Sequence, residues 1–138
     1  MTPDQIACIT NSFHHLLLIE DTLAALFYGH LFELEPSLRP MFQADMRGQG
    51  RKFMTMLHLI VSGLHDLDQL LPSLQELGRR HMDYGVREVH YETVRAALRW
   101  ALRQGLGERF TPDVEQAWNA LYLLVADRMK AAASQATG

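Results

Sequence analysis

Apolar residues recur at intervals of three or four along this whole chain, and nowhere do they alternate over a run long enough for a strand. Ile6, Ile9, Phe13 and Leu16/Leu17 begin the series. Phe53, Met56/Leu57, Ile60/Val61 and Leu64 carry it through the middle, and Val114, Ala117/Trp118, Leu121, Leu124/Val125 and Met129 close it. This spacing gives each helix one apolar stripe, and such a helix must bury that stripe against another. The expected fold class is all-α, with six or seven helices. At 138 residues, one domain is expected across 1–138.

Punctuation divides the stripes. Thr2-Pro3-Asp4-Gln5 has the spacing of a capping box with proline at the first helical position. A second helix is expected from about Asp21, broken at Glu35-Pro36-Ser37 because proline disfavours helix in the residue before it. Leu38–Phe42 reads as a short helical turn and Gln43–Gly50, with two glycines, as a loop. Further helices are expected over Gln49–Leu64, Pro72–Met82 and His90–Leu106, with a corner at Gly85 and a last helix opening at Thr111-Pro112-Asp113. The small polar tail from about Ala131 to Gly138 is expected to fray.

Composition removes several functions. Thirteen Lys+Arg against sixteen Asp+Glu give a net charge of −3, which offers no basic field for nucleic acid. The longest charge-free stretches, Ile6–Ile19 and Phe53–His65, are too short and too polar to span a membrane. The N-terminal MTPDQIACITNS lacks a basic region ahead of an apolar run, and the single Cys8 cannot form an internal disulfide, so a reducing, cytoplasmic setting is expected. There is no HExxH, CxxC or paired-carboxylate box, no GxSxG and no phosphate-binding glycine loop.

What remains is one histidine and a set of aromatics. Leu70, Leu74, Leu77 and His81 follow at spacings of four, three and four, so His81 shares an inward stripe of leucines. An imidazole there is either a core histidine satisfied by a backbone carbonyl or a metal ligand, with one nitrogen bonded and the other coordinating. Phe27, Phe42 and Phe53 fit a core at helical spacing. Tyr28 and Gln49 demand more, because a buried hydroxyl or amide must find a partner.

Taken in order, Leu26-Phe27-Tyr28-Gly29-His30-Leu31-Phe32, Glu35-Pro36, Pro40-Met41-Phe42, Gly78-Arg79-Arg80-His81-Met82-Asp83-Tyr84-Gly85-Val86, His90-Tyr91 and Ala117-Trp118 resemble the globin family. More narrowly, they resemble bacterial single-domain globins of the flavohaemoglobin-related lineage. The resemblance runs from the first helix to about Met129. It implies a globin fold and haem b, with His81 as the iron ligand, Phe42 stacked on the porphyrin and Phe53 above the iron. Tyr28 and Gln49 match the distal polar pair that stabilises held gas, and Tyr91 matches the tyrosine beside the proximal histidine. Arg51, Lys52, Arg79 and Arg80 are either partners for the haem propionates or solvated surface charges.

One departure stands out. In flavohaemoglobins a glutamate late in the last helix joins the proximal histidine and tyrosine. Counting on from Trp118 places that position near Ala133, and no glutamate follows Glu115. A carboxylate partner makes the imidazole more basic and favours O–O chemistry, so its loss favours simple gas binding. The function the resemblance implies is therefore reversible O2 binding, oxygen transport included, with CO and NO as further ligands. The alternative is nitric oxide dioxygenation, for which a fused flavin reductase would need a few hundred more residues and a separate reductase is expected instead. A haem-free globin-fold interaction module is the remaining reading. Monomer and homodimer are both compatible with the stripes.

Overall fold

The capping box at the N-terminus closes as its spacing requires. Thr2 Oγ1 accepts the N–H of Gln5 at 3.1 Å, and Gln5 Oε1 accepts the N–H of Thr2 at 3.0 Å. This computed structural model describes the backbone of residues 1–42, 45–83 and 86–137, and their side chains except those of 82, 83 and 134–137. Six α-helices follow in order: α1 (Pro3–Leu16), α2 (Glu20–Leu34), α3 (Met46–Ser62), α4 (Leu67–Asp83), α5 (Glu88–Leu106) and α6 (Pro112–Thr137). Short 3-10 turns occupy Leu17–Ile19, Pro36–Met41 and Gly107–Arg109. No strand occurs among the described residues. The corner expected at Gly85 lies outside them.

Helix boundaries differ from the sequence reading where side-chain caps decide them. The stretch expected as a loop through Gly50 is helical from Met46, because Asp45 takes the N-cap and accepts the N–H of Gly48 at 3.1 Å. α4 starts five residues before Pro72, at Leu67, and Asp66 Oδ1 accepts the N–H of Gln69 at 3.4 Å. Pro72 lies inside this helix, exposed, one turn after its start. α5 begins at Glu88, where buried His90 accepts the N–H of Arg87 on Nδ1 at 2.9 Å. It stops at Gly107, whose φ is +57°. α6 continues through the small polar tail to Thr137 and buries Ala132.

The principal helix contacts are α4 on α6, α2 on α5, α1 on α6 and α2 on α3. The core lies between them, around Ile9, Leu16, Leu23, Leu31 and Leu102, all almost fully buried. Burial of one such side chain contributes roughly 1.5–3 kcal/mol. Trp118 pins α6 to α1 by donating its indole N–H to Ser12 Oγ at 2.9 Å, and Ser12 donates in turn to the backbone of its own helix.

Two glycines set the approach of the helices that carry the site. At Gly78 a Cβ would stand 2.3 Å from the carbonyl oxygen of Met129, so only glycine lets α4 lie backbone-to-backbone against α6. At Gly50 a Cβ would stand 3.1 Å from the Ala24 Cβ, which marks the tight contact of α3 on α2.

Candidate functional site

His81 sits in the last turn of α4, half-buried, one turn beyond Leu77 and two beyond Leu74. Its Nδ1 lies 2.8 Å from the Leu77 carbonyl oxygen. A carbonyl only accepts, so Nδ1 carries the proton and Nε2 keeps its lone pair. Burial holds the imidazole below its ordinary pKa of 6.5, against a smaller opposing pull from the Leu77 bond. The ring is thus neutral at neutral pH, with one nitrogen oriented by the backbone and the other a base. Leu70 and Leu74 are buried on the same stripe, as the spacing predicts.

A second group forms between α2, α3 and the 3-10 turn that precedes α3. The buried Tyr28 hydroxyl accepts from Gln49 Nε2 at 3.3 Å, a bond made across the contact at Gly50. That bond uses the phenol oxygen as acceptor and leaves its O–H proton free to donate elsewhere. Burial raises the Tyr28 pKa above 10.0, with the Gln49 bond opposing, so the hydroxyl stays protonated. Phe27 and Phe53 stack face to face with centroids 4.4 Å apart and planes within 3°. Phe42 meets Tyr28 edge-on at 5.4 Å and Phe32 at 5.4 Å. The two polar groups are therefore walled by aromatic rings, where a hydrogen bond is less weakened by water.

Tyr91 belongs to a third set, on α5 and α6. Its carbonyl accepts the Tyr122 hydroxyl at 2.6 Å, and the Lys130 ammonium lies 5.0 Å above its ring. Lys130 also approaches Glu88 at 3.8 Å. Burial raises the Tyr91 pKa. Burial raises that of Tyr122 further, with the Tyr91 and Glu92 charges adding to it. Ala133 is half-buried on the same helix, three residues beyond Lys130.

The basic candidates divide in two. Arg51 and Lys52 are exposed on α3 just beyond Gln49. Arg79 and Arg80 both pair with Glu76, at 3.4 and 3.3 Å, as exposed ion pairs within α4. The sequence thus brings Tyr28, Gln49, Phe42 and Phe53 into one cluster, while the interactions of His81 and Tyr91 run to α4 and α6. Sequence reasoning missed Lys130, Tyr122 and Glu88. Tyr122 carried a signal, standing four residues after Trp118 on the same helix. Among the described residues, no group of three or more His, Cys, Asp or Glu could hold a metal ion, and no helix is long and apolar enough to cross a membrane.

A six-helix all-α fold with a histidine closing one helix and a Tyr–Gln pair spanning two others defines the class. The globin profile matches residues 25–129, and the chain belongs to the globin family. The flavohemoprotein of Bacillus subtilis (strain 168) is 27% identical over 110 residues, covering 78% of this chain and 28% of that protein. The chain spans about three tenths of the length of the flavohemoproteins it matches. Among solved structures, an engineered carbene transferase from Rhodothermus marinus superposes with a TM-score of 0.89 at 23% identity, covering 99% of this chain and 96% of that one. Its parent is assigned provisionally as a nitric oxide dioxygenase. The bacterial globin of Campylobacter jejuni gives 0.86 at 21% identity, covering 99% of both chains. These likenesses agree on the fold expected from the sequence.

Proposed function

We propose that the chain, as one globin domain over 1–138, binds haem through His81 and reversibly holds O2. The observation that carries this reading is the state of His81: a neutral ring, Nδ1 tied to Leu77 O, Nε2 free to coordinate. The donor set fits haem, and the flavohemoprotein relatives support it. With one cysteine, the chain cannot supply the Cys-x-x-Cys-His attachment of a c-type haem, so non-covalent haem b is the form proposed. Haem, when bound, supplies an iron that takes a diatomic gas.

The residues then do distinct work. His81 would hold the iron. Phe42 and Phe53 offer aromatic surface to the porphyrin and exclude water. Tyr28 would donate a hydrogen bond from its hydroxyl to a held gas that carries partial negative charge, and the Gln49 amide would be a second donor to the same space. A charge-assisted hydrogen bond in a dry site contributes about 1.5–3 kcal/mol, or one to two powers of ten in affinity. CO carries less charge and gains less. Arg51 and Lys52, exposed and near Gln49, are proposed as propionate partners. Arg79 is a weaker candidate because it already shares Glu76 with Arg80. Tyr91 ties the start of α5 to α6, its carbonyl accepting from Tyr122 and its ring lying under Lys130.

A second reading, oxidation of NO by the same site, is favoured by the provisional assignment of the Rhodothermus marinus neighbour's parent. It requires electrons from a reductase. The lone cysteine suits a reducing cytoplasm.

The test is absorption spectroscopy of the purified, haem-reconstituted protein, ferric, dithionite-reduced, then with O2 or CO. One haem per chain, with stable gas adducts of the reduced form, is the expected result. Absence of stoichiometric haem uptake overturns the reading and leaves a haem-free interaction module. Sustained NO consumption with an added flavin reductase selects the enzymatic reading over simple gas holding.

A further inference from the structure

Six of the seven histidines take no part in this site, and three of the six line one cavity. A surface cavity of about 260 Å3 opens beside α1 and α3, lined by Phe13, Leu17 and Val61 and by His14, His58 and His65. The imidazoles come from α1, from α3 and from the segment between α3 and α4, so their meeting is a product of the fold and not of local spacing. They are not a metal site, because no group of that kind occurs among the described residues.

The lining has a definite chemistry. Its floor is apolar, and Phe13 lies beside the His58 ring, with centroids 6.0 Å apart and planes at 53°. No Lys, Arg, Asp or Glu lines the cavity. Its chargeable groups are therefore the three imidazoles, each of which gains positive charge and a second N–H donor when protonated. The nearest acid in sequence, Asp66, caps α4 through Gln69. His15, next to His14, does not line the cavity. When protonated, the lining presents positive charge and N–H donors over an aromatic surface, with no carboxylate to neutralise it. The volume is below the 300–1,000 Å3 typical of drug-sized ligands, which limits the guest to about one ring.

We propose that this cavity binds a small aromatic carboxylate, its ring against Phe13 and its carboxylate among His14, His58 and His65. The site is separate from the haem reading and stands or falls without it.

The test is a benzoate titration of the purified full chain followed by 1H–15N NMR at pH 6.0 and 8.0. Carbon monoxide is kept present on any reduced haem so that benzoate cannot reach iron. The expected result is saturable shifts confined to residues around Phe13, His14, Val61 and His65, with binding at least fivefold tighter at pH 6.0. Benzyl alcohol, the neutral analogue, should bind equally at both values. The triple variant His14→Gln, His58→Gln, His65→Gln changes only exposed side chains and should abolish the pH dependence. Ser62→Trp, which fills the cavity, should block binding with all three histidines intact. The absence of saturable shifts at pH 6.0, shifts centred elsewhere, or an unchanged pH dependence in the triple variant overturns the proposal.

Discussion

His81 is fixed from within its own helix, by a bond to Leu77 one turn back, whereas Tyr28 is fixed by a residue 21 positions away on another helix. The first arrangement follows from α4 alone. The second exists only while α2 and α3 stay in contact at Gly50. The two sides of the proposed haem site should therefore answer differently to perturbation. The histidine side should fail by loss of its ligand or of the α4–α6 contact. The tyrosine side should lose selectivity for a polar gas while the fold and the haem remain.

The largest effect is expected from His81→Ala. It removes the one nitrogen proposed to coordinate iron and leaves a half-buried position on a stripe that stays apolar. Haem-to-protein stoichiometry after reconstitution should fall from one to near zero, while the far-ultraviolet circular dichroism stays helical. Full haem retention with an unchanged spectrum would remove His81 from its role and dissolve the comparison.

Gly78→Val comes next and reaches the same side by a different route. The new side chain must occupy space 2.3 Å from the Met129 carbonyl, so α4 and α6 have to separate. Overpacking of this kind costs about 1–3 kcal/mol or more. At about 3–5 °C per kcal/mol for a domain of this size, thermal unfolding should shift down by roughly 3–15 °C. Haem binding should weaken with it, because His81 ends the helix that moves. Unchanged stability would mean that α4 and α6 do not meet backbone-to-backbone at this point.

Tyr28→Phe tests the other side. The ring and its contacts with Phe27, Phe42 and Phe53 remain, and only the hydroxyl is lost. O2 dissociation should speed up by about ten- to a hundredfold. CO dissociation should change far less, and haem stoichiometry should stay at one. Equal acceleration of both gases in stopped-flow measurements would remove the hydroxyl as a selective donor.

These side chains also show what was legible in the sequence and why. The leucine stripe and His81 could be read because helical periodicity is local, and α4 delivers both within four turns. The capping box at Thr2 was equally local. The start of α3 at Met46 is not legible in the sequence, because Gly48 and Gly50 look like loop residues. One lies under the Asp45 cap and the other provides the α2–α3 contact, and both causes are visible only in three dimensions. The Tyr28–Gln49 pairing could be anticipated as a need for partners and, through the family resemblance, as a pair. Its geometry depends on the crossing of two helices. Lys130 above Tyr91 was illegible, since a lysine near the end of a long helix looks like a surface charge.

Acid should separate the sides as well. Burial lowers the folded pKa of His81 below 6.5, so its contribution to stability is present above that value and is lost as pH falls through the depressed one. Protonation also takes the lone pair needed for iron. Haem release, read from the Soret band, should therefore appear only on the acid side of 6.5. Tyr28 has the opposite sign: its raised pKa keeps the phenol protonated and its contribution intact until pH rises beyond 10.0. O2 dissociation should thus stay flat from pH 7 to 9. A steep change in that range would show that the donor titrates and is not the buried phenol.

The smallest effect is expected from Lys130→Met. The ammonium lies 5.0 Å over the Tyr91 ring and 3.8 Å from an exposed Glu88, and each interaction contributes at most about 1 kcal/mol where water competes. Methionine keeps most of the aliphatic packing, so thermal unfolding should move by no more than a few degrees. The informative readout is electronic. If Tyr91 borders the proposed haem, removing the cation above its ring should favour the ferric state slightly and lower the midpoint potential, with O2 dissociation almost unchanged. A potential that does not move would place Lys130 among the structural contacts of α5 and α6. A change in O2 dissociation as large as that of Tyr28→Phe would mean that the two sides are not independent, and the contrast between them would have to be given up.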